Sequence, residues 1–215
     1  MAEQTGDRSD RSVSSAKPPG GDLVLLWIVA SVAGWLVGWL VAWIGALAVG
    51  WLVAWAGLGI GTGVGVTQWL VLKERVARAG WWVLASAVGG IVGGVASVGL
   101  ILGAYVGAGQ IMGDVVAVIL GWVLVGVGIG VAQWVVLRGH VARAGWWVLA
   151  SVIGWIVGRI AAWFGVGIVA VDVIVGQVMG QVAYGVVYGA ITGIVLVQLL
   201  RQRAGDADDA MAGSA

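Results

Sequence analysis

The chain has no cysteine, one histidine, two prolines and one phenylalanine among its 215 residues. Without cysteine there is no disulfide, no thiolate metal ligand and no thiol nucleophile. The single histidine, His140, has no second histidine or nearby carboxylate to share a metal. Metal sites need three or four ligands, so it reads as a solvated loop residue. The prolines are adjacent, Pro18 and Pro19, so no proline interrupts a helix further along. Charge is equally scarce, at 10% Asp, Glu, Lys and Arg against about a quarter in a soluble domain. With 61% hydrophobic residues, there is too little polar surface to cover a water-soluble globule. A net charge of +1 supplies no field for nucleic acid, and no nucleic-acid partner is expected.

What is abundant is glycine (39 residues) and tryptophan (15 residues). Glycine without a three-residue period or much proline is not collagen. It fits helices packed through small residues in lipid. Three long apolar blocks, 23–72, 81–137 and 146–200, are separated by the basic stretches Lys73–Arg78 and Arg138–Arg143. The first block is 50 residues, or ~75 Å as helix against ~30 Å of hydrocarbon, so each block crosses twice. The expected crossings are 23–43, 48–72, 81–104, 116–137, 146–169 and 180–200, with the first reversal near Gly45. Gln110, Asp114, Asp172 and Gln177 fall in connections. Residues 1–22 and 201–215 are polar and predicted to be disordered tails, the first not resembling a signal peptide.

The blocks repeat one unit. Arg78-Ala79-Gly80-Trp81-Trp82-Val83-Leu84-Ala85-Ser86 returns as Arg143-Ala144-Gly145-Trp146-Trp147-Val148-Leu149-Ala150-Ser151. Gln68, Gln133 and Gln198 are spaced by 65 and 65 residues. Trp27, Trp82 and Trp147 each stand four residues before Ser31, Ser86 and Ser151. The expected architecture is therefore an all-α integral membrane protein. It has six transmembrane helices as three tandem two-helix repeats in a glycine-packed, pseudo-threefold bundle. Ten of the eleven Lys and Arg lie in the tails or the two basic loops, which predicts a cell-membrane protein with both termini cytoplasmic. Trp69, Trp81, Trp82, Trp134, Trp146 and Trp147 then form a cytoplasmic aromatic belt, with Trp43, Trp51 and Trp163 near the outer face. Glycine rows at Gly57, Gly61, Gly65 and Gly59, Gly63, at Gly126, Gly130 and at Gly185, Gly189, Gly193 suggest that even-numbered helices form an inner ring while odd ones face lipid.

Two sets of residues are candidates for function. Gln68, Gln133 and Gln198 with Ser31, Ser86 and Ser151 form a polar ring near the cytoplasmic side. Such a ring lines a pore mouth or simply bonds helix to helix. Arg159 is the one charge inside a predicted span. It is read as an anion site, as a partner of Asp172, as a neighbour of Tyr184 and Tyr188, or as snorkelling to the outer headgroups. Gly109-Gln110-Ile111-Met112-Gly113 and Gly176-Gln177-Val178-Met179-Gly180 repeat one another as a helix-start motif. The alternating glycines from Gly57 to Gly61 lack the terminal Gly-Lys-Ser/Thr of a phosphate loop. No triad, paired carboxylates or haem site can be assembled, so no enzyme and no cofactor is expected.

The repeated wording, Gln-Trp-Leu-Val-Leu, a basic loop, then Arg-Ala-Gly-Trp-Trp-Val-Leu-Ala-Ser, resembles a set of uncharacterised bacterial multi-pass membrane proteins. Residues 68–90 and 133–155 carry that resemblance, which implies a fold but no activity. The leading reading is a membrane protein that is structural or binds other membrane proteins or itself. The alternative is a small channel or transporter along the pseudo-threefold axis.

Overall fold

The computed structural model describes residues 20–49, 52–107, 112–168 and 172–213. They form six helices: α1 (Gly21–Val49), α2 (Leu52–Leu72), α3 (Gly80–Gly107), α4 (Met112–Leu137), α5 (Gly145–Ile168) and α6 (Val173–Ala212). Five of them are long and apolar enough to cross a membrane; in α2 the apolar stretch Gly57–Leu72 is shorter. Their outward faces carry exposed Leu, Val, Ile and Trp, such as Leu40, Val95, Ile119 and Trp163. A surface of that kind is unfavourable in water and suited to lipid.

Several boundaries differ from the sequence reading. Gly45 lies inside α1, and the chain reverses between Val49 and Leu52. With no proline or charge to stop it, the first helix runs on until its partner must start back. Gly21 and Asp22 belong to α1 rather than to a tail, with Asp22 in the first turn where the helix dipole favours an anion. At the other end α6 continues to Ala212, so the tail expected to be disordered from 201 is largely helical, with Arg201–Asp206 exposed. An existing helix propagates without a new nucleation cost, and Ala204, Ala207, Ala210 and Ala212 are good helix formers. Gln177 lies within α6, not in a connection, while Gln110 falls outside the described residues. Residues 1–19 and Trp51 also lie outside them, and Asp114 does so for its side chain.

The helices pack in chain order as a ring: α1 on α2, α2 on α3, and so on to α5 on α6, with α6 closing on α1. Glycine makes this possible on both sides of each even helix. Gly59 and Gly63 of α2 meet Gly38 and Gly34 of α1, and Gly57, Gly61 and Gly65 face α3 at Gly90 and Ser86. A Cβ placed on Gly89 of α3 would lie 2.6 Å from the carbonyl oxygen of Gly128 of α4, so the two backbones touch directly. Gly185 and Gly189 bring α6 onto Val32 and Ile28 of α1 in the same manner. In lipid the hydrophobic effect does not press helices together, so such close backbone packing supplies the cohesion.

This arrangement corrects the inner ring expected of the even helices. Glycines two residues apart sit about 200° apart around a helix, so the rows on α2 serve two neighbours instead of one central face. The odd helices reach the centre themselves. Trp27 of α1, Trp82 of α3 and Trp147 of α5 meet edge to face at ring separations of 6.0, 5.9 and 5.3 Å. Three mutually non-adjacent helices can meet this way only at the middle of the ring. Leu72, Leu137 and Leu196 of the even helices pack beside the indoles, and Val76, Ala79, Val141 and Ala144 of the basic loops close over them. Further along the axis, Val64, Ile129 and Tyr188 join Trp35, Trp155 and Tyr184 in a second core.

Candidate functional site

The first polar layer lies level with the three central indoles. Each of Trp27, Trp82 and Trp147 stands one turn before a serine, so tryptophan and serine share the inward face of their helix. Trp82 Nε1 donates to Gln68 Oε1 at 3.1 Å, and Gln68 Nε2 donates to Ser31 Oγ at 3.2 Å. Trp147 Nε1 donates to Gln133 Oε1 at 2.9 Å, and Gln133 Nε2 donates to Ser86 Oγ at 2.8 Å. Ser86 Oγ in turn donates to the Trp82 carbonyl at 2.7 Å. Each glutamine thus ties its own hairpin to the next helix. Both glutamines are fully buried, so each bond satisfies a group that lipid would leave unpaired.

Gln198, the third expected member, is exposed and takes no part. Its place is held by Thr192, whose Oγ1 accepts from Trp27 Nε1 at 3.0 Å and donates to the Tyr188 carbonyl at 2.7 Å. The reason is helical phase: six residues beyond Thr192 is about 240° around α6, on another face. The close-packed glycines carried the true register. Gly65, Gly130 and Gly189 lie against Ser86, Ser151 and Ser31, and Gln68, Gln133 and Thr192 follow each by three residues.

Threonine is too short to span to the next serine. Ser151 is accordingly buried with its Oγ unpartnered, facing the equally unpartnered hydroxyl of Tyr188. The belt of hydrogen bonds therefore links α1 to α2, α2 to α3, α3 to α4, α4 to α5 and α6 to α1, and is open between α5 and α6. None of its side chains titrates near neutral pH, so the layer offers no proton donor or acceptor for catalysis.

Two of the central indoles, Trp82 and Trp147, were expected in an aromatic belt at the boundary. Consecutive helix positions lie about 100° apart, so of Trp81-Trp82 and Trp146-Trp147 one ring faces out and one faces in. Trp81 and Trp146 are each 59% exposed, while Trp82 and Trp147 are fully buried. Trp43 and Trp163 are exposed as expected.

The second polar group lies in the half of the bundle away from the basic loops. Tyr184 and Tyr188 of α6 stack at 6.1 Å, their rings lying on Gly158 and Gly154 of α5. Tyr184 also packs on Trp35 at 3.8 Å and on Trp155 at 5.6 Å. Arg159, one turn beyond Trp155, places its guanidinium 5.0 Å from the Trp122 ring and 6.0 Å from the Tyr184 ring. Arg159 thus meets Tyr184, whose ring stacks on Tyr188. The pairing with Asp172 is not: Asp172 Oδ1 accepts from the backbone N–H of Ile174 at 2.7 Å and of Val175 at 3.2 Å, capping α6. Trp35 and Trp155 belong to this cluster and were not singled out in the sequence. They stand four residues after Ser31 and Ser151, where the other repeat has Gly90, and that inequality was the available clue.

His140 Nδ1 lies 2.9 Å from the Val136 carbonyl, a local contact within its own turn. No group of three or more His, Cys, Asp or Glu suited to a metal occurs among the described residues. The chain matches no family model, no curated protein and no solved structure.

Proposed function

We propose that this chain is a six-span membrane protein that works as a closed, non-catalytic scaffold, through contacts with other membrane proteins or further copies of itself. One observation carries the reading. Trp27, Trp82 and Trp147 fill the axis fully buried, roofed by the loop residues Val76 and Val141, where a conducting path would have to open. The void further along the axis, between Trp35, Val64, Ile129 and Tyr188, is about 10 Å³, room for a single water.

The proposal includes three tandem hairpins about a pseudo-threefold axis. It is supported by the recurrence of one contact set, with glycine against serine and a polar residue three positions on accepting an indole N–H. The recurrence runs over 65 residues from Gly65 to Gly130 and 59 from Gly130 to Gly189. α2, at 21 residues or ~32 Å, supplies the sixth crossing. The basic loops and both termini are assigned to the cytoplasmic side of the cell membrane because ten of the eleven Lys and Arg lie there.

The test is solute flux through purified, folded protein in sealed liposomes, with ions, water and small neutral solutes. The expected result is no flux above protein-free liposomes, together with recurrent partners cross-linked in native membrane. Specific flux that Gln133→Leu abolishes would overturn the scaffold and establish a channel along the axis.

A further inference from the structure

We propose that the groove lined by Arg143, Gly145, Trp146 and Leu149 binds one anionic phospholipid, and that Arg78, Gly80, Trp81 and Leu84 hold a second in the same way. This rests on the six-span membrane reading and not on whether the bundle is closed.

The second basic loop has a cation to spare. Arg138, His140 and Arg143 are its ionisable residues, with no Asp or Glu among them. Arg138 lies over the Trp134 ring at 5.3 Å, and His140 Nδ1 lies 2.9 Å from the Val136 carbonyl. The Arg143 side chain is exposed and, among the described residues, makes no ion pair or hydrogen bond. It borders an open groove of about 520 Å³, whose other walls are Gly145, Trp146 and Leu149.

The layout of that groove favours a lipid. The Trp146 N–H donates to the Arg143 carbonyl at 3.1 Å, so the loop enters α5 as a turn. Arg143, Trp146 and Leu149 therefore descend one side of the chain, from loop into span. Ile153 and Val157 continue the same exposed face. From Trp146 to Val157 the helix rises ~16 Å, which matches one leaflet of a ~30 Å hydrocarbon core. The guanidinium stands at headgroup level, the indole at the interface, and the apolar stripe beside an acyl chain. A free anion or an acidic peptide would use the guanidinium and leave the stripe uncovered. Glycine leaves room for close approach. A Cβ on Gly145 or Gly80 would meet nothing within 4 Å, and neither has a left-handed φ, so no neighbouring helix and no backbone strain requires glycine there.

The pattern occurs twice and not three times. Arg78, Gly80, Trp81 and Leu84 take the same steps into α3, with Val88 and Val92 exposed below them. In the first hairpin Leu23, Leu25 and Leu26 stand in the places of arginine, glycine and tryptophan, next to Asp22. Two lipids per chain are therefore expected. Glu74 stands on the first loop, which makes the Arg78 site the weaker one. A phosphodiester accepts the guanidinium fork, and in a zwitterionic lipid the headgroup's own cation competes for it.

The test places the purified full chain in nanodiscs of equal phosphatidylglycerol and phosphatidylcholine. Native mass spectrometry then counts the lipids that stay on the protein on release. Two retained phosphatidylglycerols are expected, each preferred over phosphatidylcholine about fivefold. Arg143→Gln should retain one, and Arg78→Gln combined with Arg143→Gln none. Both side chains are exposed, so these variants should fold. Arg138→Gln should keep both lipids, because Arg138 is engaged on Trp134. Entry of the wild type into the bilayer with no headgroup preference would overturn the proposal and leave this face to a protein partner. So would a preference that survives in the double variant, or one that Arg138→Gln lowers as much as Arg143→Gln does. A chain that enters no bilayer would overturn the six-span reading as well.

Discussion

Replacing Gln133 by leucine tests the hydrogen-bonded belt most directly. The carboxamide is fully buried, accepts from Trp147 Nε1 at 2.9 Å and donates to Ser86 Oγ at 2.8 Å. Leucine has nearly the same volume, so the change removes two hydrogen bonds without opening a large cavity. Between membrane helices such bonds average about 0.6 kcal/mol and reach about 1.7 kcal/mol. Ser86 keeps its bond to the Trp82 carbonyl, but Trp147 is left with a stranded N–H, which adds to the cost. The expected destabilisation is about 2 kcal/mol, and Gln68→Leu should match it. Thr192→Val removes one acceptor and should cost about 1 kcal/mol. Gln198→Leu, on an exposed face, should stay within about 0.5 kcal/mol. The assay is equilibrium unfolding in mixed micelles titrated with sodium dodecyl sulfate, followed by tryptophan fluorescence. A Gln198→Leu variant as unstable as Gln133→Leu, or a silent Thr192→Val, would refute the register and with it the order of the belt.

Substitutions at four further positions have expected outcomes. Gly89→Ala forces apart backbones that a Cβ would approach to 2.6 Å, and should cost more than about 2 kcal/mol in the same assay. Gly99→Ala on the same helix meets nothing within 4 Å and should stabilise by up to about 1 kcal/mol through helix propensity. Arg78 holds a left-handed φ of 58°, so Arg78→Gly should raise stability by about 1 kcal/mol, read as a higher unfolding temperature. Asp172→Ala removes the cap of α6 and should cost about 1 kcal/mol, whereas Asp172→Asn keeps the cap and should be nearly neutral. A large loss from the asparagine would mean that its charge matters, as an ion pair with Arg159 requires.

Much of the fold was legible because lipid imposes few solutions. Apolar runs between basic loops must be paired helices, and most of their ends came within a few residues. The misses are near Gly45, where no charge or proline marks an end, at the start of α6, seven residues earlier than expected, and beyond Arg201, where an existing helix runs on through charged residues. Four of the six ring residues, Ser31, Ser86, Gln68 and Gln133, join the belt as read. Ser151 is buried at the same level without a bond, and Gln198 misled. The spacing of 65 residues made it look equivalent, yet the contact register shortens by six in the last hairpin, from 65 to 59 residues. The glycines at Gly65, Gly130 and Gly189 mark that register, because a close approach admits no other residue.

The sequence by itself determined that this chain belongs in a membrane. It also determined that the chain folds as helical hairpins and that its helices touch through glycine. Those conclusions follow from composition and helical period, which are local. Only the tertiary structure decided which tryptophan of each doublet turns inward, that odd and even helices share the axis, and that Thr192 stands in for a glutamine. It alone brought Arg159 to Trp122 and Tyr184, and Tyr184 to Trp35, which are far apart in the chain. Those outcomes depend on rotation of one helix against another, set by which side chains fit the centre when six backbones close into a ring.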